Sequence, residues 1–132
     1  YPVRIMVQGM VSDGLEVIVG GKRDHSFGPV VMFGLGGIFV EAFRDVVFRV
    51  APLSRANAEE MIEEVHGSRL FDGIRGKPPS DREAVVKTLL SVSRMLTENP
   101  RISELDINPL MVKDHGIVAV DARAVVSEAQ DA

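Results

Sequence analysis

Two short stretches near the carboxyl end constrain the fold most, because each places polar residues inside a run that otherwise has the composition of a β-strand. They are residues 105–110, LDINPL, and residues 120–123, VDAR. Residues 113–116 between them, KDHG, have the composition of a tight turn. The two stretches are therefore predicted to pair as an antiparallel hairpin.

The length of the turn decides which polar residues meet across this hairpin. A two-residue loop at 114–115 places Asn108 opposite Asp121. The same register places Asp106 opposite Arg123. Directly opposed residues have Cβ atoms about 5 Å apart, a separation at which an amide oxygen and a carboxylate can share one hard cation. A glycine bulge at the end of the turn would instead shift the register by one residue and separate the pair.

The residues around these polar groups are apolar enough to be buried on both faces of the hairpin. They are Leu105, Ile107, Leu110, Met111, Val112, Val118, Ala119 and Val120. Polar groups buried among them would need partners or a ligand. Asn108 also precedes Pro109, which holds Asn108 extended. The alternative is a solvated hairpin end with a surface ion pair, which contributes less than about 1 kcal/mol.

The rest of the chain predicts an α+β fold with a mostly antiparallel sheet and two main helices, because hairpins surround the helical segments. The predicted strands are 3–11, 15–23, 30–33 and 46–50, with the first two joined as a hairpin and 30–33 central. The predicted helices are about 55–65, capped by Ser54, and 81–98, opened by a capping box at 80–83. Residues 39–43 fit a helix or a strand. Residues 1–132 are predicted to form a single domain.

Composition excludes several classes of protein and site. The chain has no cysteine, so disulfides and thiolate metal sites are excluded. Its net charge of −4 gives no general attraction to nucleic acid or to an anionic membrane, and no apolar run is long enough to span a bilayer. These features suit a cytoplasmic protein. The sequence opens directly into a strand pattern, which suggests a fragment of a longer chain.

A glycine-rich turn and one carboxylate add a second candidate site. Residues 34–37, GLGG, follow an apolar strand, and such glycines let a backbone present N–H groups to a bulky anion. The run lacks the spacing of a Walker A or a dinucleotide motif, so a plain tight turn is the alternative. Glu16 lies inside an apolar strand, where it either binds a ligand or points to solvent.

Three longer runs resemble the ATP-grasp domain of the NDP-forming acyl-CoA synthetases, of the ADP-forming acetyl-CoA synthetase β-chain type, which is related to the succinyl-CoA synthetase β subunit. They are residues 15–24 (LEVIVGGKRD), 27–41 (FGPVVMFGLGGIFVE) and 104–112 (ELDINPLMV). The resemblance covers nearly the whole chain and implies the C-terminal half of an ATP-grasp fold, a fold that clamps Mg-nucleotide between two subdomains. It also implies reversible acyl-CoA synthesis coupled to ATP, through acyl phosphate and phosphohistidine intermediates.

The resemblance further implies roles for individual residues. The implied ATP- or ADP-binding positions are Gln8, Gly9 and Met10 in the hinge that lines adenine, Glu16 on the nucleotide side, Gly34, Gly36 and Gly37 near the phosphates, and Arg123. The implied Mg²⁺ ligands are Asn108 and Asp121, with Asp106 beside them. Gly9 departs from the family pattern, because this hinge position often carries an acidic residue.

The resemblance also defines the expected partners. They are the nucleotide and the parts that this sequence lacks, namely the first ATP-grasp subdomain and the CoA-binding and phosphohistidine-bearing parts, in the parent protein or in a partner subunit. None of the three histidines matches the phosphohistidine motif. Whether the protein is an oligomer stays open. The alternative function is a regulatory or subunit-docking module, for example one fused to a protein lysine acetyltransferase.

Overall fold

The core of the fold is a six-stranded antiparallel sheet with two helices on one of its faces. The computed structural model describes residues 2–37, 45–73 and 75–128. The strands are β1 (Leu15–Asp24), β2 (Gly28–Leu35), β3 (Val46–Val50), β4 (Ile102–Val112), β5 (Ile117–Ala119) and β6 (Ala122–Val126). The helices are α1 (Arg55–Glu64) and α2 (Arg82–Glu98), with a short 3₁₀ helix at Ser68–Asp72 between them. The predicted α+β class is confirmed.

The sheet has the order β3-β2-β1-β4-β5, and β6 pairs with β4 beyond the end of β5. Each neighbouring pair is antiparallel. The turn between β1 and β2 is held by Asp24, whose carboxylate accepts the backbone N–H groups of Ser26 and Phe27 at 2.8 and 3.0 Å. These two hydrogen bonds hold the pKa of Asp24 below its usual value.

Both helices begin at side-chain caps. Ser54 accepts the backbone N–H of Asn57, whose side chain accepts the N–H of Ser54 in return. α2 begins one residue later than predicted, because Asp81 rather than Ser80 is its N-cap and accepts the N–H of Ala84 at 3.0 Å. The capping box predicted at 80–83 is therefore wrong.

The hydrophobic core lies between the helices and one face of the sheet, which we call the helix face. Apolar side chains at alternate positions of β1, β2 and β4 point into it, as expected for strands with a period of two. The largest fully buried side chains on the sheet are Phe33 and Leu35, with Val17, Val19 and Val31 beside them. Alternate residues of the same strands point to the opposite face, which we call the open face. No helix of the described ranges is long and apolar enough to cross a membrane.

The strand predicted at residues 3–11 is wrong. Residues 2–11 pair with no described strand, and the apolar side chains of residues 3–10 are exposed, with Val7 at 90% and Met10 at 93%. The reason lies in the sheet order, because β2 and β4 occupy both edges of β1. A hairpin partner for β1 from residues 3–11 therefore has no edge to join. The ambiguous segment 39–43 lies outside the described residues.

Candidate functional site

The hairpin register places the two predicted metal ligands opposite each other. β4 pairs with β5 through Leu110↔Ala119 and with β6 through Asp106↔Arg123. Between these pairs, the backbone N–H of Asn108 donates to the carbonyl oxygen of Asp121 at 3.0 Å. The predicted two-residue loop at 114–115 is confirmed, because Lys113 N–H donates to the Gly116 carbonyl at 3.0 Å. The alternative register with a bulge at the turn is wrong.

A bulge does occur in this region, on the other side of β4. β1 pairs Val17 with Leu110 and Val19 with Ile107, so residues 108–109 together oppose Ile18. In a regular strand, Ile107 and Leu110 would point to opposite faces, because they are three residues apart. The extra residue of the bulge keeps both of them on the helix face. Asn108 follows Ile107 and so belongs to the open face. The bulge therefore directs the predicted ligand away from the core.

The premise that these polar residues are buried is wrong. All four of the polar residues that the hairpin brings together are exposed, namely Asp106, Asn108, Asp121 and Arg123. Val118 and Val120 beside them are also exposed, at 37% and 43%. The reason is that α1 and α2 both pack on the helix face, so that neither covers the polar residues on the open face of β4 or those of the strand that returns from the turn. The polar residues thus lie on an accessible surface, as a ligand site requires.

The glycine turn and Glu16 meet on the open face. Gly36 N–H donates to the Glu16 carbonyl oxygen at 2.8 Å. A Cβ atom added to Gly36 would lie 3.2 Å from the Cβ of Glu16, and one added to Gly37 would lie 2.9 Å from its carboxylate oxygen. Gly37 also has a φ of +64°, which favours glycine. A side chain at Gly36 would therefore press on Glu16, and one at Gly37 would push aside the end of the Glu16 side chain.

The glycine turn and the hairpin are related through β1, because β1 pairs with β2 on one side and with β4 on the other. Gly34 pairs with Ile18, and Ile18 faces the bulge that contains Asn108. Gly34 in the glycine turn, Ile18 in the centre of β1 and the pair Asn108–Asp121 therefore form one row across the open face. In the adjacent row, Arg123 lines a groove of about 380 Å³. Its other lining residues include Lys22, Met32, Phe48, Glu104 and Asp106.

Comparison with known proteins agrees with this arrangement. The ATP-grasp domain family matches residues 2–126. This chain belongs to the ATP-grasp domain family. The predicted resemblance is confirmed. The chain is 46% identical over 124 residues to acetate--CoA ligase [ADP-forming] I of Archaeoglobus fulgidus, which covers 94% of this chain and 18% of that protein.

Two further relatives of the ATP-grasp chain show the same likeness. The β subunit of acetate--CoA ligase [ADP-forming] I from Pyrococcus furiosus is 45% identical, over 92% of this chain and 53% of that subunit. A similar fold occurs in the dinucleotide forming acetyl-coenzyme A synthetase 1 of Ca. Korarchaeum cryptofilum, whose structure is in complex with coenzyme A and Mg-AMPPCP. The two sequences are 51% identical, and the two structures superpose with a TM-score of 0.84. That match covers 88% of this chain and 55% of that one. The ATP-grasp chain thus spans about half the length of the β subunit and a fifth of the longer ligase.

The donor atoms of the ATP-grasp chain suit a hard cation that keeps part of its hydration. Asn108 and Asp121 offer an amide oxygen and a carboxylate. The described ranges contain no group of three or more His, Asp or Glu side chains that could enclose a metal ion. Mg²⁺ is commonly held by one or two protein oxygens, with waters and substrate phosphates completing its octahedron. The pair therefore fits Mg²⁺ bound together with a phosphorylated ligand.

The predicted hinge residues do not lie next to the glycine turn or to the pair Asn108–Asp121 on the open face. Gln8, Gly9 and Met10 belong to the exposed segment 2–11, and a Cβ on Gly9 would touch nothing within 4 Å. Their contact with adenine stays a prediction.

Sequence reasoning missed the second bond of Asp81. Besides capping α2, its carboxylate accepts Gly116 N–H at 2.7 Å, and its own N–H donates to the Lys113 carbonyl at 2.7 Å. These bonds fasten the start of α2 to the turn that sets the hairpin register. The hydrogen bonds from Gly116 and then Ala84 hold the pKa of Asp81 below its usual value. An acidic residue before a helix signals the cap, but nothing local signals the bond to Gly116.

Proposed function

We propose that this chain is the Mg-nucleotide-binding half of the ATP-grasp domain of an ADP-forming acyl-CoA ligase. The ligase interconverts acyl-CoA, ADP and phosphate with the free acid, CoA and ATP. The observation that carries the proposal is the row on the open face, where the register aligns Gly34 with the exposed pair Asn108 and Asp121, and where Gly37 is exposed at the end of the glycine turn. The ligase activity of the relatives named above supports the choice of reaction.

Each part of the row has a role in this proposal. The backbone of the glycine turn lies near the phosphates, with Gly37 exposed to them and Gly34 and Gly36 buried against Val46 and Glu16. Arg123 places a guanidinium charge beside the same phosphates. Glu16 holds the turn through its carbonyl oxygen, which accepts the N–H of Gly36, and its side chain lies on the nucleotide side of the site. Gln8 to Met10 line the adenine.

Asn108 and Asp121 would hold Mg²⁺ in this site. When bound, Mg²⁺ neutralises phosphate charge and so stabilises phosphoryl transfer. The side chains of the chain bind and orient the nucleotide, and the reacting partner comes from outside the chain. The complex of the Korarchaeum protein with Mg-AMPPCP supports this assignment, and its phosphohistidine segment points towards the nucleotide binding site.

The complete reaction requires more than this chain. The first ATP-grasp subdomain and the CoA-binding and phosphohistidine-bearing parts would come from the parent protein or a partner subunit. The share of each relative that the chain spans supports this division. The isolated chain is expected to be inactive, and the parent protein to be cytoplasmic.

The test is calorimetric titration of the parent protein with ADP in the presence and absence of Mg²⁺. Asn108→Ala and Asp121→Ala are each expected to weaken Mg-dependent binding by about tenfold or more, because a bond to a charged group contributes about 1.5–3 kcal/mol. Asp114→Ala is the matched control, since it removes an exposed carboxylate from the same hairpin. Unchanged Mg-dependent affinity in both site variants would refute the metal assignment.

A regulatory or subunit-docking module is the second candidate, and the ligase relatives favour the first. Turnover separates the two. The ligase hypothesis expects the parent protein to form ADP over many turnovers only when acid and CoA are both present, because phosphorylation of the histidine alone releases at most one ADP per site. Nucleotide binding without such turnover, in a parent that contains an acetyltransferase domain, would support the regulatory module instead.

A further inference from the structure

Asp45 is an unusual residue in this fold, because it is the one charged side chain that is buried within the described ranges, with 4% of it exposed. Its Oδ1 accepts the backbone N–H of His66 at 2.7 Å, and its Oδ2 accepts that of Gly67 at 3.0 Å. The Nδ1 of His66 lies 3.3 Å from Oδ1, although the ring itself is 92% exposed. A buried carboxylate is stable only when donors such as these compensate its lost hydration.

The main chain of Asp45 contacts the glycine turn from the opposite side. Its carbonyl oxygen accepts the N–H of Leu35 at 3.4 Å, one position beyond the pair Gly34↔Val46 that ends the β2–β3 ladder. A Cβ added to Gly34 would lie 2.9 Å from the same carbonyl oxygen. Gly34 therefore packs directly on the backbone of Asp45, and no side chain fits between them.

The turn after α1 closes this arrangement. Ser68 N–H donates to the Val65 carbonyl at 3.1 Å, which makes residues 65–68 a β-turn. Gly67 has φ −86° and ψ 19°, the values of the third residue of a type I turn. A Cβ on Gly67 would lie 2.1 Å from Leu35 Cδ1. The glycine turn, the start of β3 and the end of α1 thus meet at Asp45.

We propose that Asp45 is a positioning residue, which fixes the glycine turn by fastening the backbone beside it to the turn after α1. The carboxylate anchors the main chain of Asp45 to residues 66–67, and that main chain forms one wall of the turn. The second wall is Glu16, whose carbonyl oxygen accepts Gly36 N–H at 2.8 Å. The inference rests on the proposed phosphate-binding role of the turn.

The chemistry requires a carboxylate rather than an amide. Both oxygens of Asp45 accept from N–H donors. An asparagine would turn its NH₂ group towards one of these donors and lose that bond, while keeping the size of the side chain. Asp45→Asn therefore loosens the anchor without opening a cavity.

The experiment measures two properties of the parent protein: amide hydrogen exchange in peptides that cover residues 34–37, and affinity for Mg-ADP. We expect Asp45→Asn to speed exchange in these peptides by about tenfold and to weaken affinity by a similar factor, the equivalent of one lost hydrogen bond. Exchange within α2 should stay at the wild-type rate. Wild-type exchange at 34–37 in this variant would overturn the proposal.

Ser93→Ala is the matched control, because Ser93 is the other buried polar residue in the part of the chain that the structure describes and accepts Leu53 N–H at 2.8 Å. It should lower stability while leaving both readouts at wild-type values. If Ser93→Ala reproduces the effects of Asp45→Asn, the effects reflect general destabilisation and the proposal is wrong.

A second variant tests the same anchor without changing Asp45. His66→Pro removes both donors of His66, and proline is favoured at the second position of a type I turn, so the fold is retained. It should speed exchange at 34–37, whereas His66→Ala, which keeps the backbone N–H, should not. Equal exchange in the two variants would contradict the proposal. If the wild-type parent binds no Mg-ADP, the proposed function fails, yet the exchange data still decide whether Asp45 holds the turn.

Discussion

The two faces of the sheet differ in what their residues do, although both are built from the same strands. On the helix face, side chains such as Phe33 and Val17 are fully buried, and Phe33 packs against Phe71 with ring centroids 6.4 Å apart. On the open face, Asn108, Asp121 and their neighbours are exposed. The comparison suggests that stability resides mainly on one face and ligand binding on the other. Substitutions on the two faces should therefore affect different measurements.

The largest effect is expected on the helix face. Phe33→Ala removes a fully buried aromatic ring and should lower the free energy of unfolding by about 3–5 kcal/mol. Met32, the preceding residue, points to the open face and is only half-buried, so Met32→Ala should cost about 1 kcal/mol. Denaturant unfolding of the parent protein measures both. Similar losses for the two variants would contradict the division between the faces.

A smaller effect of another kind is expected on the open face. Arg123→Ala should weaken Mg-ADP binding by roughly tenfold through loss of one charge-assisted contact. Its free energy of unfolding should change by less than about 0.5 kcal/mol, because the side chain is exposed. Arg94→Ala is the control, because it removes the same charge from the exposed side of α2. It should alter neither the affinity for Mg-ADP nor the free energy of unfolding. Calorimetry that shows equal losses for both variants would indicate a general charge effect.

The smallest effect concerns Asp81, which connects the start of α2 to the hairpin turn. Its pKa is lowered in the folded state by hydrogen bonds from Gly116 and Ala84, so its contribution to stability is present above the unfolded pKa of about 3.9. That contribution is lost as pH falls through the lower, folded pKa.

Asp81→Asn removes this titration while Asp24 and Glu83, whose pKa values are also lowered, still titrate. The difference in unfolding midpoint between wild type and Asp81→Asn should therefore be largest near pH 6 and shrink below pH 4, within roughly one pH unit of the unfolded pKa. A difference that stays constant across this range would mean that the carboxylate charge is not involved.

Features determined by nearby residues could be predicted from the sequence. The two-residue loop at 114–115 fixes the hairpin register, because every pair along two antiparallel strands follows from the turn between them. The helices at Arg55–Glu64 and Arg82–Glu98 follow from their apolar spacing and caps. The pair Asn108–Asp121, the glycine turn and Glu16 are candidates from residue pattern and register, and the family resemblance adds the hinge residues and the individual roles. The structure brings most of these positions to one face.

Features that depend on contacts between residues far apart in the sequence could not be predicted. Residues 3–11 have the composition of a strand, but β2 and β4 occupy both edges of β1. The burial expected around Asn108 is wrong because both described helices pack on the helix face, whereas Asn108 lies on the open face. Asp45 was missed because its partners lie 21 and 22 residues away along the chain.

The bulge at residues 108–109 has a consequence for how the length of this segment can vary. Ile107 and Leu110 both face the helices, which is possible only because β4 contains one residue more than β1 in this stretch. The returning strand matches β4 residue for residue, since Leu110 pairs with Ala119 and Ile107 with Ala122. Deleting one of residues 108–109 would remove the bulge and keep Ile107 and Leu110 on the helix face, but the returning strand would then hold one residue more than β4 unless it lost a residue as well. Insertions and deletions in the two strands of this ribbon should consequently occur as matched pairs in natural or designed variants that keep the site.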